Sequence, residues 1–286
     1  MDLRKRAPPL LLRHNMCFTD TESCNCAEQM LKYIKGLMGM KPAPVQLRGR
    51  ISIPSERVSD IFAIGDIHGH LDLLLAAEER IFERMRQSIR PAVIVCVGDF
   101  VDRGPDSRGV IEHLSLTLPK PFYRLNICGN HDDAFLNFLN DDRFNPAWLE
   151  FGGDKTLMSY GVDSVHMLSL DPKGRQLQRV ARDHVPRGHV DFLQRLPVAL
   201  TIGDYLFVHA GVLPGRPLSE QTDLDLMWMR EPFLTRGPGL AMTVIHGHTP
   251  GTGFQYGPNR IGIDTGAYMT GKLGVLHIGP DGVAEI

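Results

Sequence analysis

From residue 58 onward the chain alternates short apolar runs with segments of helical periodicity. Residues 58–65 (VSDIFAIG) and 92–97 (AVIVCV) are nearly continuous apolar runs of strand length, the pattern of strands buried on both faces. A third strand is predicted over 122–127. Between and after these runs, 70–88 and 107–116 repeat apolar residues at helical spacing, and 132–140 reads as a third helix. Pro91 bounds the first of them. Strands alternating with helices imply βαβ units and parallel strands. The stretch 141–198 is more polar and less periodic, and is expected to be a helical insertion. Five short strands then follow in quick succession, at 199–202, 205–208, 242–245, 260–263 and 272–278. The pattern predicts an α/β fold in which two mixed sheets pack face to face with helices outside.

Residues 1–57 have a different texture. They hold Pro8, Pro9, Pro42, Pro44 and Pro54 and three of the five cysteines. Only 27–38 places apolar residues (Met30, Leu31, Ile34, Leu37, Met38) at helical spacing. This segment is expected to be an N-terminal extension, partly helical or flexible, ahead of a main domain at 58–286. Its helix reads as a short element packed on that domain, or as one that meets a partner or a membrane surface. Cys17, Cys24 and Cys26 with His14 match no standard zinc spacing.

Composition removes several classes. With 31 basic and 33 acidic residues the formal charge is −2, so the basic excess of a nucleic-acid binder is missing and no nucleic-acid partner is expected. No apolar run approaches the roughly 20 residues of a membrane span. Arg4, Lys5 and Arg6 precede Leu10, Leu11 and Leu12, but Pro8, Pro9 and Arg13 confine the apolar stretch to a length too short for a signal peptide. Cys96 and Cys128 lie in apolar runs, where free buried thiols suit a reducing compartment, and a cytoplasmic location is expected. Oligomeric state leaves no mark in the sequence.

The candidate chemistry sits where the strands end. Gly65-Asp66-Ile67-His68-Gly69 follows the first strand, Gly98-Asp99-Phe100-Val101-Asp102-Arg103-Gly104 the second, and Gly129-Asn130-His131-Asp132 the third. Later strands end in His209-Ala210-Gly211 and His246-Gly247-His248-Thr249-Pro250. Ligands of open α/β sheets bind outside the carboxyl ends of strands. A single Asp-x-His is most often structural, and scattered histidines such as His70, His113, His166, His184, His189 and His277 read as solvated or hydrogen-bonded surface groups. The ordered set is a stronger signal. Carboxylates, imidazoles and a carboxamide suit Mn2+, Fe or Zn2+ better than thiophilic ions. Asp66 and His68, two apart, would point the same way in an extended segment. A carboxylate bridging two ions about 3.5–4 Å apart would let them clamp a phosphoryl displacement.

The order GDIHG, GDFVDRG, GNHD, VHAG, GHTP resembles the calcineurin-like metallophosphoesterases, and within them the phosphoprotein phosphatases of the bacterial and phage, lambda-phosphatase-like branch. Leu226-Met227-Trp228-Met229-Arg230 is similar to that branch's Trp-x-Arg, and Ile263-Asp264-Thr265-Gly266-Ala267 also fits. The resemblance covers about 58–286 and implies that this stretch is the catalytic domain, a four-layer αββα sandwich. It implies two divalent ions, Mn2+ first and Fe or Zn2+ as alternatives. Asp66, His68 and Asp99 would hold one, with Asp99 bridging to a second completed by Asn130, His209 and His248. Pro250 stands where distant members carry another histidine, and His246 is outside the pattern. By the same analogy a hydroxide between the metals attacks phosphorus directly. His131 is then the general acid, oriented by Asp102, and Arg103 and Arg230 bind the phosphate. The implied activity is a serine/threonine protein phosphatase, with phosphotyrosine as a further substrate and phosphoproteins or phosphopeptides as partners. Symmetrical diadenosine tetraphosphatases share the Arg-Gly-Pro at 103–105 but commonly lack the aspartate at 102, and form the alternative. A catalytically dead phospho-ligand binding module is the third reading, disfavoured because no ligand position is missing.

Overall fold

The computed structural model describes residues 47–141 and 146–286. The helix expected over 27–38, Cys17, Cys24, Cys26 and His14 lie outside the described residues. Strand β1 (Arg50–Ile53) comes first, followed by β2 (Asp60–Ile64), α1 (Leu71–Arg84), β3 (Ala92–Cys96), α2 (Ser107–Leu114), β4 (Phe122–Asn126) and α3 (Asn130–Asn140). The polar stretch then folds as a π-helical turn (Leu149–Gly153) and α4 (Asp154–Ser159), α5 (Ser164–Leu170), α6 (Arg175–His184) and α7 (Arg187–Arg195). After β5 (Ala199–Ile202) and β6 (Tyr205–Val208) come α8 (Asp223–Trp228), α9 (Phe233–Arg236), β7 (Thr243–His246), β8 (Gln255–Gly257), β9 (Arg260–Gly262), α10 (Ala267–Thr270), β10 (Val275–Gly279) and β11 (Gly282–Glu285).

These strands make two mixed sheets flanked by helices, of order β11-β10-β2-β3-β4 and β1-β5-β6-β7-β9-β8. Strands β2, β3 and β4 are parallel neighbours, with Ile64 opposite Cys96 and Cys96 opposite Asn126, so their carboxyl ends lie side by side. In the other sheet β6 runs parallel to β7 and β7 to β9. The sheets pack through alternate residues: Ile61, Ala63, Val93 and Val95 of one join Leu200, Ile202, Phe207 and Ile245 of the other in a single apolar core. The intervening Phe62, Ile64, Ile94 and Cys96 are equally buried on the opposite face, which is why β2 and β3 read as unbroken apolar runs.

Three differences from the expected elements matter. The domain was expected to start at 58, but β1 pairs in parallel with β5 in the register Arg50 to Ala199, so this sheet recruits residues upstream of that boundary. The third helix starts at Asn130 rather than 132, which puts Asn130 and His131 in its first turn. Strands β8 and β11 were not anticipated; both are short edge strands with largely exposed side chains, so no apolar run marks them. No helix among the described residues is long and apolar enough to cross a membrane.

Candidate active site

Packing the two sheets brings five strand ends to one place. The loop after β2 is tied to the loop after β3 by Ile67 N and His68 N donating to Asp99 O and by Gly69 N donating to Phe100 O. Across the sandwich, His248 N donates to Asp66 Oδ2 at 2.9 Å, joining β7 of one sheet to β2 of the other. His68, Asp99, Asp102, Arg103 and His248 all have positive φ, five of the six such non-glycine residues described. Backbone in this region costs on the order of 1–3 kcal/mol per residue and persists only where surroundings enforce it. The segment holding Asp66 and His68 is therefore turned at His68, not extended as the spacing suggested. Gly104 permits the close approach, because a Cβ there would strike the His68 carbonyl oxygen.

Asp66, His68, Asp99, Asn130, His209 and His248 all converge here, each at most 7% exposed. Two sets of donor atoms lie within 4.8 Å of one another: His68, Asp99 and His131, and Asp99, His209 and His248. Asp99 belongs to both. The first set holds His131 where the sequence expectation placed Asp66, which borders the cluster through His248 instead. His209 Nδ1 sits 2.9 Å from Val97 O and His68 Nδ1 2.8 Å from Val101 O. A carbonyl accepts only, so these bonds put the ring N–H on Nδ1 and leave a lone pair on each Nε2 of the neutral ring. His209 Nε2 then faces Asn130 Oδ1 at 2.8 Å, and Asn130 Oδ1 also lies 2.8 Å from His248 Nδ1.

Such a gathering of acceptors calls for positive charge. Burial opposes protonation of His209, but the Asp99 carboxylate beside it, with Asp66, pushes it up to about 9. Burial also works to raise Asp99, yet His209, His131 and His68 outweigh it and hold that carboxylate well below its usual range. Asp66 is pushed well above its ordinary value by burial and by the carboxylates of Asp264 and Asp99. Its Oδ1 is buried and has no hydrogen-bond partner among the described residues; His248 Nε2 is the same. Burial, followed by Arg103 for His68 and Arg230 for His248, keeps both rings neutral. Once His209 gives up its proton in exchange for a cation, its imidazole, those of His68 and His248, the carboxylates and a carboxamide form a donor set that fits two borderline divalent cations sharing Asp99.

Beside this cluster, His131 N donates to Asp99 Oδ1 at 3.0 Å and His131 Nδ1 lies 2.7 Å from Asp102 Oδ2. Burial pushes the Asp102 carboxyl up, opposed by hydrogen bonds from His131, Thr156 and Trp148. Trp148 Nε1 donates to Oδ2 at 2.9 Å and Thr156 Oγ1 to Oδ1 at 2.6 Å. Arg103 Nη2 is 3.2 Å from His131 Nε2, and its guanidinium stacks 4.3 Å from the Tyr268 ring centre. Arg230 Nη2 donates to His248 O at 3.4 Å, which places that side chain at the same mouth. His246 lies apart: its Nδ1 donates to Gly247 O, Phe233 packs edge-on against it, and burial keeps it neutral, down to about 3.

Trp148, Thr156 and Tyr268 had no signal in the sequence. The first two belong to the helical insertion, which closes over Asp102 and also contributes Phe151, 5.8 Å from the His131 ring. Their partners are 46 and 54 residues away in the chain, beyond any local periodicity.

The sequence profile described as calcineurin-like phosphoesterase matches residues 59–271. A relative named serine/threonine-protein phosphatase 1, from Salmonella typhimurium, is 27% identical over 84% of this chain and 99% of its own length. A symmetrical bis(5'-nucleosyl)-tetraphosphatase of Dechloromonas aromatica is 30% identical over 58% of this chain and 50% of its own. Among solved structures, a cold-active protein-tyrosine phosphatase of a psychrophilic Shewanella species superposes with a TM-score of 0.56 at 14% identity, covering 85% of this chain and 82% of that one, and shares the fold.

Proposed function

The chain belongs to the calcineurin-like phosphoesterase family, and on that premise we propose that it is a metal-dependent phosphomonoester hydrolase acting on phosphoserine and phosphothreonine in proteins. The observation that carries the reading is the placing of the His131–Asp102 pair against Asp99, the carboxylate common to both donor sets. Asp66, His68 and Asp99 would hold one cation and Asp99, Asn130, His209 and His248 the other, with Mn2+ first and Fe or Zn2+ as alternatives. Bound there, two divalent ions supply Lewis acidity toward phosphate oxygens and lower the pKa of water toward neutrality.

The chain's own residues supply the rest. His131 donates through Nδ1 to Asp102, so Nε2 faces the substrate and, when protonated, gives its proton to the leaving serine or threonine oxygen. Asp102, held by Trp148 and Thr156, fixes the tautomer and orientation of the ring. Arg103, pre-oriented by Tyr268, and Arg230 bind the equatorial phosphate oxygens as planar, permanently charged forks. The likeness to the Salmonella phosphatase over nearly its whole length supports a phosphoprotein substrate. The buried free thiols of Cys96 and Cys128 support a reducing, cytoplasmic setting.

The second reading, a symmetrical diadenosine tetraphosphatase, is favoured by the Dechloromonas relative. Turnover of a phosphothreonine peptide, para-nitrophenyl phosphate and diadenosine tetraphosphate, each with added Mn2+, separates the two. Preference for the peptide supports the phosphatase, preference for the dinucleotide replaces it, and no turnover of any substrate points to a binding module.

A further inference from the structure

The first turn of α3 carries Asn130 and His131, and it is held from two sides. On the inner side Asp132 accepts from Phe100 N and Gly129 N, both at 2.9 Å. On the outer side Asp133 meets Arg48, a residue upstream of β1. Arg48 reaches Asp133 Oδ1 through Nη2 at 2.8 Å and Nε at 3.2 Å, and its side chain is only 9% exposed. Its Nη1 donates to Leu193 O at 2.8 Å and Leu196 O at 3.3 Å, at the end of α7. The Arg48 backbone N–H donates to Asp223 Oδ2 at 2.8 Å, and Arg50 holds the other oxygen of that carboxylate at 3.1 Å. Asp223 opens α8, whose last residue Trp228 packs 6.0 Å from the His248 ring and precedes Arg230 by two positions.

One short segment thus links the element that carries Asn130 and His131 to the element that leads to Trp228 and Arg230. We propose that Arg48 is a positioning residue: through Asp133 it sets the seat of the α3 first turn, and with it the placement of His131 Nε2 and Asn130 Oδ1. Asp133 is three residues from Asn130 and two from His131, so a helix that rolls or slides when the outer clamp is lost moves both site atoms. Misplacement by about 1 Å costs up to about 100-fold in rate. The guanidinium is suited to this task because four of its contacts run to three different acceptors in fixed directions, which a lysine ammonium cannot reproduce.

The inference rests on the phosphomonoesterase reading for its kinetic arm alone. Arg48→Met and Asp133→Asn are compared with the unaltered protein in thermal unfolding, in Mn2+ titration by calorimetry, and in kcat and KM on phenyl and para-nitrophenyl phosphate. Phenolate leaves poorly and needs the proton from His131, whereas nitrophenolate leaves well without it. A displaced His131 therefore lowers kcat on phenyl phosphate on the order of 10-fold and on the nitrophenyl ester much less, with KM nearly unchanged. A displaced Asn130 weakens Mn2+ binding several-fold. Arg48→Lys should fall between, and Arg48→Met/Asp133→Asn should lose no more than the worse single variant, since both act through one contact. A change in Mn2+ affinity or in the leaving-group ratio in a folded variant supports the proposal. Folded variants that change neither overturn it, and if Arg48→Met does not fold, the isosteric Asp133→Asn decides. If the unaltered protein turns over no phosphate ester while Mn2+ affinity still falls in the variants, the functional reading fails and the positioning role stands.

Discussion

The Asp99 carboxylate lies 3.4 Å from His209 Nε2 and 3.6 Å from His68 Nε2, and it accepts the His131 backbone N–H. Removing its charge therefore acts on both donor sets at once. Asp99→Asn is expected to lower phosphoesterase activity by about 10²–10³-fold or more, the order seen when a key electrostatic group is lost. It should also weaken both Mn2+ sites by more than the roughly 10–100-fold that losing a partner of a ligand costs. Near-normal turnover, or two tight ions by calorimetry and elemental analysis, would contradict the shared role. At this scale the residue types were legible from the sequence, because glycine beside Asp, His or Asn at a strand end is a local pattern. The seat of Asp102 was not. Trp148 and Thr156 donate to it from the insertion, and nothing near either residue in the chain marks it as a donor.

Among the elements, α1, α2 and β4 meet at a buried ionic cluster. Arg124 Nη2 contacts Glu78 Oε1 at 2.6 Å, with the two side chains 3% and 4% exposed, and His113 Nε2 lies 2.7 Å from Glu78 Oε2. Arg124 also donates to His113 O, tying β4 to the end of α2. Breaking a buried pair by removing one partner leaves an uncompensated charge and costs about 3–5 kcal/mol. Arg124→Met should lower the unfolding free energy in urea by that amount, while Glu78→Gln/Arg124→Met should recover much of it. Equal losses in the single and double variants would show that packing, not charge, dominates. His113 was read as a surface group, and it is hydrogen-bonded as that reading allowed, but into this cluster. The strands β2 and β3 were legible because burial on both faces makes continuous apolar runs. The edge strands β1, β8 and β11 were not, because three or four residues with no buried position among them leave no period to read.

Over the whole molecule, the packed sheets bury Cys96 and Cys128 completely. Burial pushes the Cys96 thiol up to about 12 and raises Cys128 well above its ordinary value. At pH 8 the folded protein should alkylate at Cys96 about 10³-fold slower than the unfolded chain, and at Cys128 also more slowly, because thiolate is the reactive form. Mass spectrometry of labelled peptides separates them from Cys17, Cys24 and Cys26. Rapid labelling of Cys96 in native buffer would mean that the sandwich opens without global unfolding. By itself, the sequence determined the alternation of strands and helices, the α/β sandwich and the residue types offered at each strand end. Each of these is written in local periodicity or in a few adjacent positions. Only the tertiary structure decided that His131 joins His68 and Asp99 in one donor set, that the insertion clamps Asp102, and that Arg48 braces the helix bearing His131. Those contacts join segments from different elements and, at Asp66 and His248, from different sheets. They exist only once the apolar faces of the two sheets have packed together.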